Sequence, residues 1–149
     1  HDMRIDILKK MGADVTLSIR RDKIVESIME ATDGYGVDVV LEMTGQQDAI
    51  DWGLQMVKKG GTFTAFGIPS GKIQMDLSNG IVFKGANIIG INGRRMFETW
   101  FQVANILGNK RVDPNPVITH KFPLKDFEKG IEATKNPRRD CGKVVLTLD

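Results

Sequence analysis

The residues of this chain that could act as nucleophile or general base are few. His120 is the one internal histidine, and Cys141 is the single cysteine. No serine stands in a Gly-x-Ser-x-Gly turn, and imidazole catalysis needs partners that the residues around His120 do not supply, so we interpret it as structural. Cys141 lies in a predicted turn over residues 138–142, whose arginines could lower the pKa of its thiol, but we favour an incidental exposed thiol. One cysteine and two histidines match no usual zinc-ligand spacing. The chain by itself offers no catalytic centre.

Glycine-containing turns are better candidates for a ligand site. They are Thr44-Gly45, Phe66-Gly67-Ile68 and Gly90-Ile91-Asn92-Gly93. Glycine lets a flat ligand approach main-chain N–H and C=O groups closely. The sequence has neither a Gly-x-Gly-x-x-Gly turn after a strand nor a Gly-Lys-Ser/Thr phosphate loop. On spacing alone, a ligand-binding rim and ordinary strand-ending turns are equally good interpretations.

One strand–helix–strand unit positions these turns. Residues 37–41 predict a strand, apolar residues from 49 to 57 recur on one helix face, and residues 58–61 are typical of a helix end. Residues 62–66 predict a second strand. Strands joined by a helical crossover are parallel, so we expect both faces of the sheet to be buried. Ligands bind beyond the carboxyl ends of such strands, which is where the turns lie.

The remaining pattern alternates helices and strands, which predicts an α/β fold with a parallel sheet. On one predicted helix we interpret Met96, Phe97, Trp100 and Phe101 as core residues. The other predicted elements are helices over residues 4–11, 22–31, 77–84 (one or two turns), 96–107 and 124–134, and strands over residues 13–19, 86–91, 117–122 and 143–148.

Composition describes an ordinary globular chain of 149 residues, about one domain in size. The net charge is +2 from 21 basic and 19 acidic residues, which are interspersed, so we expect no nucleic-acid partner. No apolar run approaches the roughly 20 residues that cross a bilayer, and from the residues at the amino end we expect no signal peptide. A single cysteine suits a reducing compartment. We therefore expect a cytoplasmic protein with no membrane partner.

Five stretches resemble one family, the L-threonine 3-dehydrogenases among the zinc-dependent medium-chain dehydrogenases. One of them covers residues 90–100, and its most specific part is Gly93-Arg94-Arg95-Met96-Phe97-Glu98-Thr99-Trp100, because polyol and alcohol dehydrogenases usually differ there. The resemblance runs from Arg4 to the carboxyl end. The other stretches are residues 66–73, 83–85, 116–122 and 142–146.

The resemblance implies an activity and a cofactor. Enzymes of this family oxidise L-threonine to 2-amino-3-oxobutanoate and pass hydride to NAD, with zinc polarising the alkoxide. By position, Phe66, Gly67 and Ile68 match family residues that line the nicotinamide end of NAD. Ile91 and Asn92 match a second segment of that lining. Arg4 matches an arginine that lies beside the adenosine part.

The family's amino-terminal region, with its zinc ligands and pyrophosphate-binding turn, has no counterpart here. The resemblance therefore implies a partial Rossmann-type parallel sheet with flanking helices over residues 4–93. Residues 94–149 would form a carboxyl-terminal tail that belongs to the catalytic domain in the family. We expect a carboxyl-terminal fragment of a homo-oligomeric enzyme, inactive alone, with subunits pairing through residues 86–91. Two alternatives stay open: a non-enzymatic, self-associating half-domain, and part of a medium-chain polyol or alcohol dehydrogenase.

Overall fold

A computed structural model describes residues 2–136 and 140–148 of the chain. They form two units, Ile19–Arg95 and the combination of His1–Ser18 with Met96–Asp149. Residues before 19 thus group with the carboxyl-terminal segment, and the assignment of residues 4–93 to one domain remains a prediction. The helices are α1 (Asp2–Lys10), α2 (Ile24–Ala31), α3 (Gln47–Met56), α4 (Glu98–Gly108) and α5 (Phe127–Lys135), and the strands are β1 (Val37–Glu42), β2 (Val57–Ala65), β3 (Asn87–Gly90), β4 (Ile118–Pro123) and β5 (Lys143–Thr147).

The Ile19–Arg95 unit is built on a parallel sheet in the order β1-β2-β3, which confirms the predicted α/β class. Helix α3 connects β1 to β2, and a single π-helical turn (Ser78–Val82) precedes β3. The strands end level with one another, because Glu42 pairs with Ala65 and Ala65 pairs with Gly90. Because the strands end level, the turns that follow them lie at one edge of the sheet.

The core of this unit lies between α3 and one face of the sheet. Ile50 and Leu54 of α3 are buried with Phe63 of β2. Alternate strand residues point to the other face, and there Val39 is 55% exposed and Leu41 61% exposed. The expectation that both faces are buried is therefore wrong. The reason is that α3 packs on the Phe63 side and α2 packs against α3, so both helices lie on one side.

Two predicted boundaries also differ. Residues 58–61, predicted to end a helix, lie within β2, which begins at the buried Val57. The β1–β2 register passes from Val37–Val57 directly to Val39–Thr62, so a bulge in β2 takes up the extra residues.

Residues 13–19, predicted as a strand, are not in one. A strand needs a neighbour that accepts its main-chain hydrogen bonds, and the described strands pair only with one another.

The second unit contains a two-stranded parallel sheet of β4 and β5, with α5 packed on both strands. Helix α4 forms as predicted, but none of its residues is buried. Phe97 is 63% exposed and Phe101 is 70% exposed; Met96 and Trp100 are exposed too, so their interpretation as core is wrong. Helical spacing shows which side chains share a face, but not whether another element covers that face. No helix among the described residues is long and apolar enough to cross a membrane.

Candidate functional site

The carboxyl ends of the three parallel strands form an edge that we call the strand-end rim, residues 42–45, 66–69 and 90–92. The Phe66 N–H donates to the Glu42 carbonyl oxygen at 3.0 Å, and the Ile91 N–H donates to the Ala65 carbonyl oxygen at 2.9 Å. Met43, Phe66 and Ile91 each follow the last paired residue of their strand, and all three are exposed. The rim therefore presents a row of accessible apolar side chains beside main-chain groups.

A buried carboxylate organises the first turn of the rim. Glu42 is 5% exposed, and its Oε1 accepts hydrogen bonds from the Thr44 N–H at 2.7 Å, the Thr44 hydroxyl at 2.6 Å and the Gly45 N–H at 3.0 Å. Burial raises the pKa of the Glu42 carboxyl, but the hydrogen bonds from Thr44 and Gly45 outweigh burial and hold it below its usual value. Glu42 is thus ionised at neutral pH and fully engaged within the rim.

The second turn of the rim fits against the first. The Gly67 N–H donates to the Glu42 carbonyl oxygen at 3.0 Å. A Cβ on Gly67 would lie 2.6 Å from Glu42 Oε2, and a Cβ on Gly45 would lie 2.6 Å from the Ile68 carbonyl oxygen. Gly45 also has φ +67°, which favours glycine. Both glycines are therefore required by close backbone approach.

Five of the six predicted cofactor residues lie at this rim. Phe66, Ile68, Ile91 and Asn92 are exposed there, and Gly67 is half-buried. Arg4 is an exposed residue of α1, in the other unit. Contact of these residues with NAD remains a prediction. Sequence reasoning missed Glu42, although an acidic residue that ends an apolar strand just before Thr-Gly was a usable signal.

His120 and Cys141 have the contacts of structural residues. The His120 Nδ1 lies 2.9 Å from the Thr119 hydroxyl, and its ring stacks on Phe122 with centroids 6.2 Å apart. Cys141 is 6% exposed, so the prediction of an exposed thiol is wrong. The next residue explains the burial, because the Gly142 N–H donates to the Thr119 hydroxyl at 2.9 Å and ties this segment to β4. The arginines at positions 138 and 139 lie outside the described residues.

The rim fits one of the two implied cofactors. Exposed apolar side chains beside main-chain groups suit a flat ring that carries an amide, which is the chemistry of nicotinamide. Zinc does not fit the described part of the chain, because no three His, Cys, Asp or Glu side chains cluster there.

A cavity of about 540 Å³ lies elsewhere in the same unit, between α2, α3 and the segment before β3. Lys84 lines it, and its Nζ donates to the carbonyl oxygens of Leu54, Gln55 and Val57 at 2.7–2.8 Å. Burial lowers the pKa of this ammonium group. The donors of Lys84 are thus directed at the carboxyl end of α3, and no rim residue lines the cavity.

Comparisons with known proteins agree with this architecture. Residues 1–109 match the family model described as zinc-binding dehydrogenase. The chain is 44% identical over 146 residues to the L-threonine 3-dehydrogenase of Bacillus velezensis, covering 98% of this chain and 42% of that protein. It is 40% identical to the enzyme of the same name from Pyrococcus horikoshii, with 99% and 42% covered.

Solved structures give the same picture of the fold. An alcohol dehydrogenase from Thermotoga maritima superposes with a TM-score of 0.81 and 28% identity, over 96% of this chain and 40% of that one. The 2R,3R-butanediol dehydrogenase of Bacillus subtilis gives a TM-score of 0.85 at 24% identity, over 100% and 42%. The chain spans about two fifths of the length of the relatives that it matches.

Proposed function

Because this chain belongs to the zinc-binding dehydrogenase family, we propose that its strand-end rim supplies the nicotinamide end of the NAD site in an enzyme that oxidises L-threonine. Curated relatives at 37–44% identity carry the name L-threonine 3-dehydrogenase, which supports the substrate. Their matched region is about 42% of their length. We assign the zinc and threonine sites of such an enzyme to the part of the relatives that lies outside the matched region.

The observation that carries the proposal is the level ending of β1, β2 and β3 at one edge, where Phe66 and Ile91 directly follow the paired residues Ala65 and Gly90. Ligands of open α/β sheets bind at the carboxyl ends of the strands. When bound there, NAD⁺ would supply the hydride acceptor for oxidation of the threonine hydroxyl.

In this proposal, the residues of this chain bind the nicotinamide ring and orient it. Phe66, Ile68 and Ile91 offer apolar surface to one face of the nicotinamide ring, and they keep water from it. Gly67 lets the ring approach the main chain closely, and we assign Asn92 to the carboxamide. Arg4 is assigned to the adenosine part by the resemblance alone. No described residue of this chain is given the role of acid, base or nucleophile.

An assay of the purified 149-residue chain with L-threonine, NAD⁺ and Zn²⁺ tests this division of roles. NADH formation, followed at 340 nm, is expected to be absent, because we place binding of the substrate and metal outside these residues. Turnover by this chain alone would contradict the proposal. A panel of secondary alcohols and polyols, assayed on a full-length enzyme carrying this sequence, would separate threonine from the substrates of related alcohol dehydrogenases.

A second candidate is a self-associating module without activity of its own. It is favoured by the uncovered apolar face of the sheet, where Val39, Leu41 and Ile89 are exposed, since large exposed apolar surfaces mark interaction sites. Homo-oligomerisation of the enzyme would use exposed surface of the same kind, and β3 is our proposed pairing strand. Light scattering that finds a stable monomer at high concentration would count against association. We propose that the protein is located in the cytoplasm.

A further inference from the structure

We propose that Glu42 is the positioning residue of the strand-end rim, and that its carboxylate and its main-chain oxygen together hold the two turns in the arrangement that receives nicotinamide. This inference rests on the proposed function of the rim. It assigns no contact between Glu42 and the ligand. The role is carried through the turns at residues 42–45 and 66–69.

Glu42 contacts one turn through its main-chain oxygen and the other turn through its side-chain carboxylate. Its main-chain oxygen accepts the N–H groups of Phe66 and Gly67, both at 3.0 Å. Its carboxylate accepts the N–H groups of Thr44 and Gly45. Glu42 thus has hydrogen bonds with both turns, so a shift of Glu42 would move them together.

The link continues into helix α3. The Thr44 hydroxyl donates to Glu42 Oε1 at 2.6 Å and accepts the N–H of Gln46 at 3.1 Å. Gln46 is the residue that precedes α3, and its side chain makes no capping hydrogen bond. The Glu42 carboxylate thus orients Thr44, and Thr44 in turn supports the first residue before the helix.

The carboxylate also supports Gly67 by contact. A side chain at position 67 would meet Glu42 Oε2 at 2.6 Å and the Thr44 nitrogen at 2.6 Å, so the carboxylate fills the space behind that glycine. Hydrogen bonds to a charged acceptor are stronger than neutral ones. Replacing the carboxylate with an amide of equal size weakens the hydrogen bonds that it accepts from Thr44 and Gly45. It also turns one acceptor oxygen into an NH₂ group, which is a donor and competes with them.

The test uses the full ¹⁵N-labelled chain, with nicotinamide mononucleotide as the probe. In wild type, the amide signals of Gly67, Ile68, Ile91 and Asn92 should move as the probe is added. In Glu42→Gln, the Thr44 and Gly45 amide signals should move even without the probe, and the response to it should fall about tenfold. Asp38→Asn is the matched control, because it removes an exposed carboxylate from the same strand; it should leave the rim signals and the response unchanged.

If Glu42→Gln does not fold, a second pair of variants tests the same proposal. Thr44→Val removes the hydroxyl that donates to Glu42 and should weaken the probe response severalfold, whereas Thr44→Ser keeps the hydroxyl and should preserve it. A general loss of stability would not separate these two variants at the rim. If wild type responds and Glu42→Gln or Thr44→Val responds equally, the positioning role is overturned alone. If the wild-type rim does not respond at all, the proposed function is overturned, and this inference with it.

Discussion

Gly67 and Gly45 lie so close together that neither position leaves room for a Cβ atom. A Cβ on Gly67 would come within 2.6 Å of the Thr44 nitrogen, and one on Gly45 would come within 2.7 Å of the Pro69 nitrogen. Each glycine thus faces the backbone of the opposite turn. Because backbone cannot move aside as the end of a flexible side chain can, this contact fixes the shape of the rim.

We predict that Gly67→Ala lowers the free energy of unfolding by about 1–3 kcal/mol, the usual cost of overpacking. Gly90→Ala is the control, since a Cβ there meets nothing within 4 Å, and it should change stability by less than about 0.5 kcal/mol. Urea unfolding followed by circular dichroism measures both variants. Equal stability of the two variants would show that the turns are not in close contact.

The one-sided core gives a second prediction. Leu54→Ala should cost about 2–5 kcal/mol because Leu54 is 3% exposed and packs with Ile50 and Phe63. Leu41→Ala on the uncovered face should cost less than about 1 kcal/mol and should reduce binding of a hydrophobic dye. A large loss of stability from Leu41→Ala would mean that this face is covered in solution.

Lys84 gives a third prediction, through the carboxyl end of α3. Lys84→Met should lower stability by about 2 kcal/mol, because three main-chain carbonyls lose a charged donor. Lys59→Met is matched in chemistry but exposed, and it should have little effect. Thermal unfolding of both variants provides the comparison, and a Lys84→Met protein as stable as Lys59→Met would contradict this role.

The fourth prediction concerns acid. The folded pKa of Glu42 lies below its usual value of 4.5, so its contribution to stability is present above that pH and is lost as the pH falls through the folded pKa. The stability difference between wild type and Glu42→Gln should therefore be largest near neutral pH and shrink below pH 4.5. Urea titrations at several pH values measure it. A difference that persists unchanged at the lowest pH would show that the charge is not responsible.

Much of the fold follows from local pattern. The apolar run that begins at Val37 and the turn chemistry around Gly67 predict β1, α3 and the edge where the rim lies. The early start of β2 at Val57 could not be predicted in the same way. It depends on pairing with β1 and on a bulge, and these are long-range contacts that residue spacing does not encode.

The site was predicted less completely than the fold. Phe66, Gly67 and Ile91 are assigned to the cofactor through family resemblance, and that assignment remains a prediction, whereas Glu42 was missed because carboxylates are usually expected at the surface. Its burial is possible only because Thr44 and Gly45 supply donors, and a sequence does not show where those donors point. The exposure of Phe101 on α4 was missed for a related reason, since cover depends on other elements.

Binding of nicotinamide at the strand-end rim can be measured directly by NMR spectroscopy. Amide chemical shifts of the ¹⁵N-labelled chain are recorded with nicotinamide mononucleotide and, separately, with adenosine monophosphate. Nicotinamide mononucleotide is expected to move the signals of Gly67, Ile68, Ile91 and Asn92, and adenosine monophosphate is expected to leave them in place. Unmoved rim signals with nicotinamide mononucleotide, or an equal response to both nucleotides, would contradict this expectation.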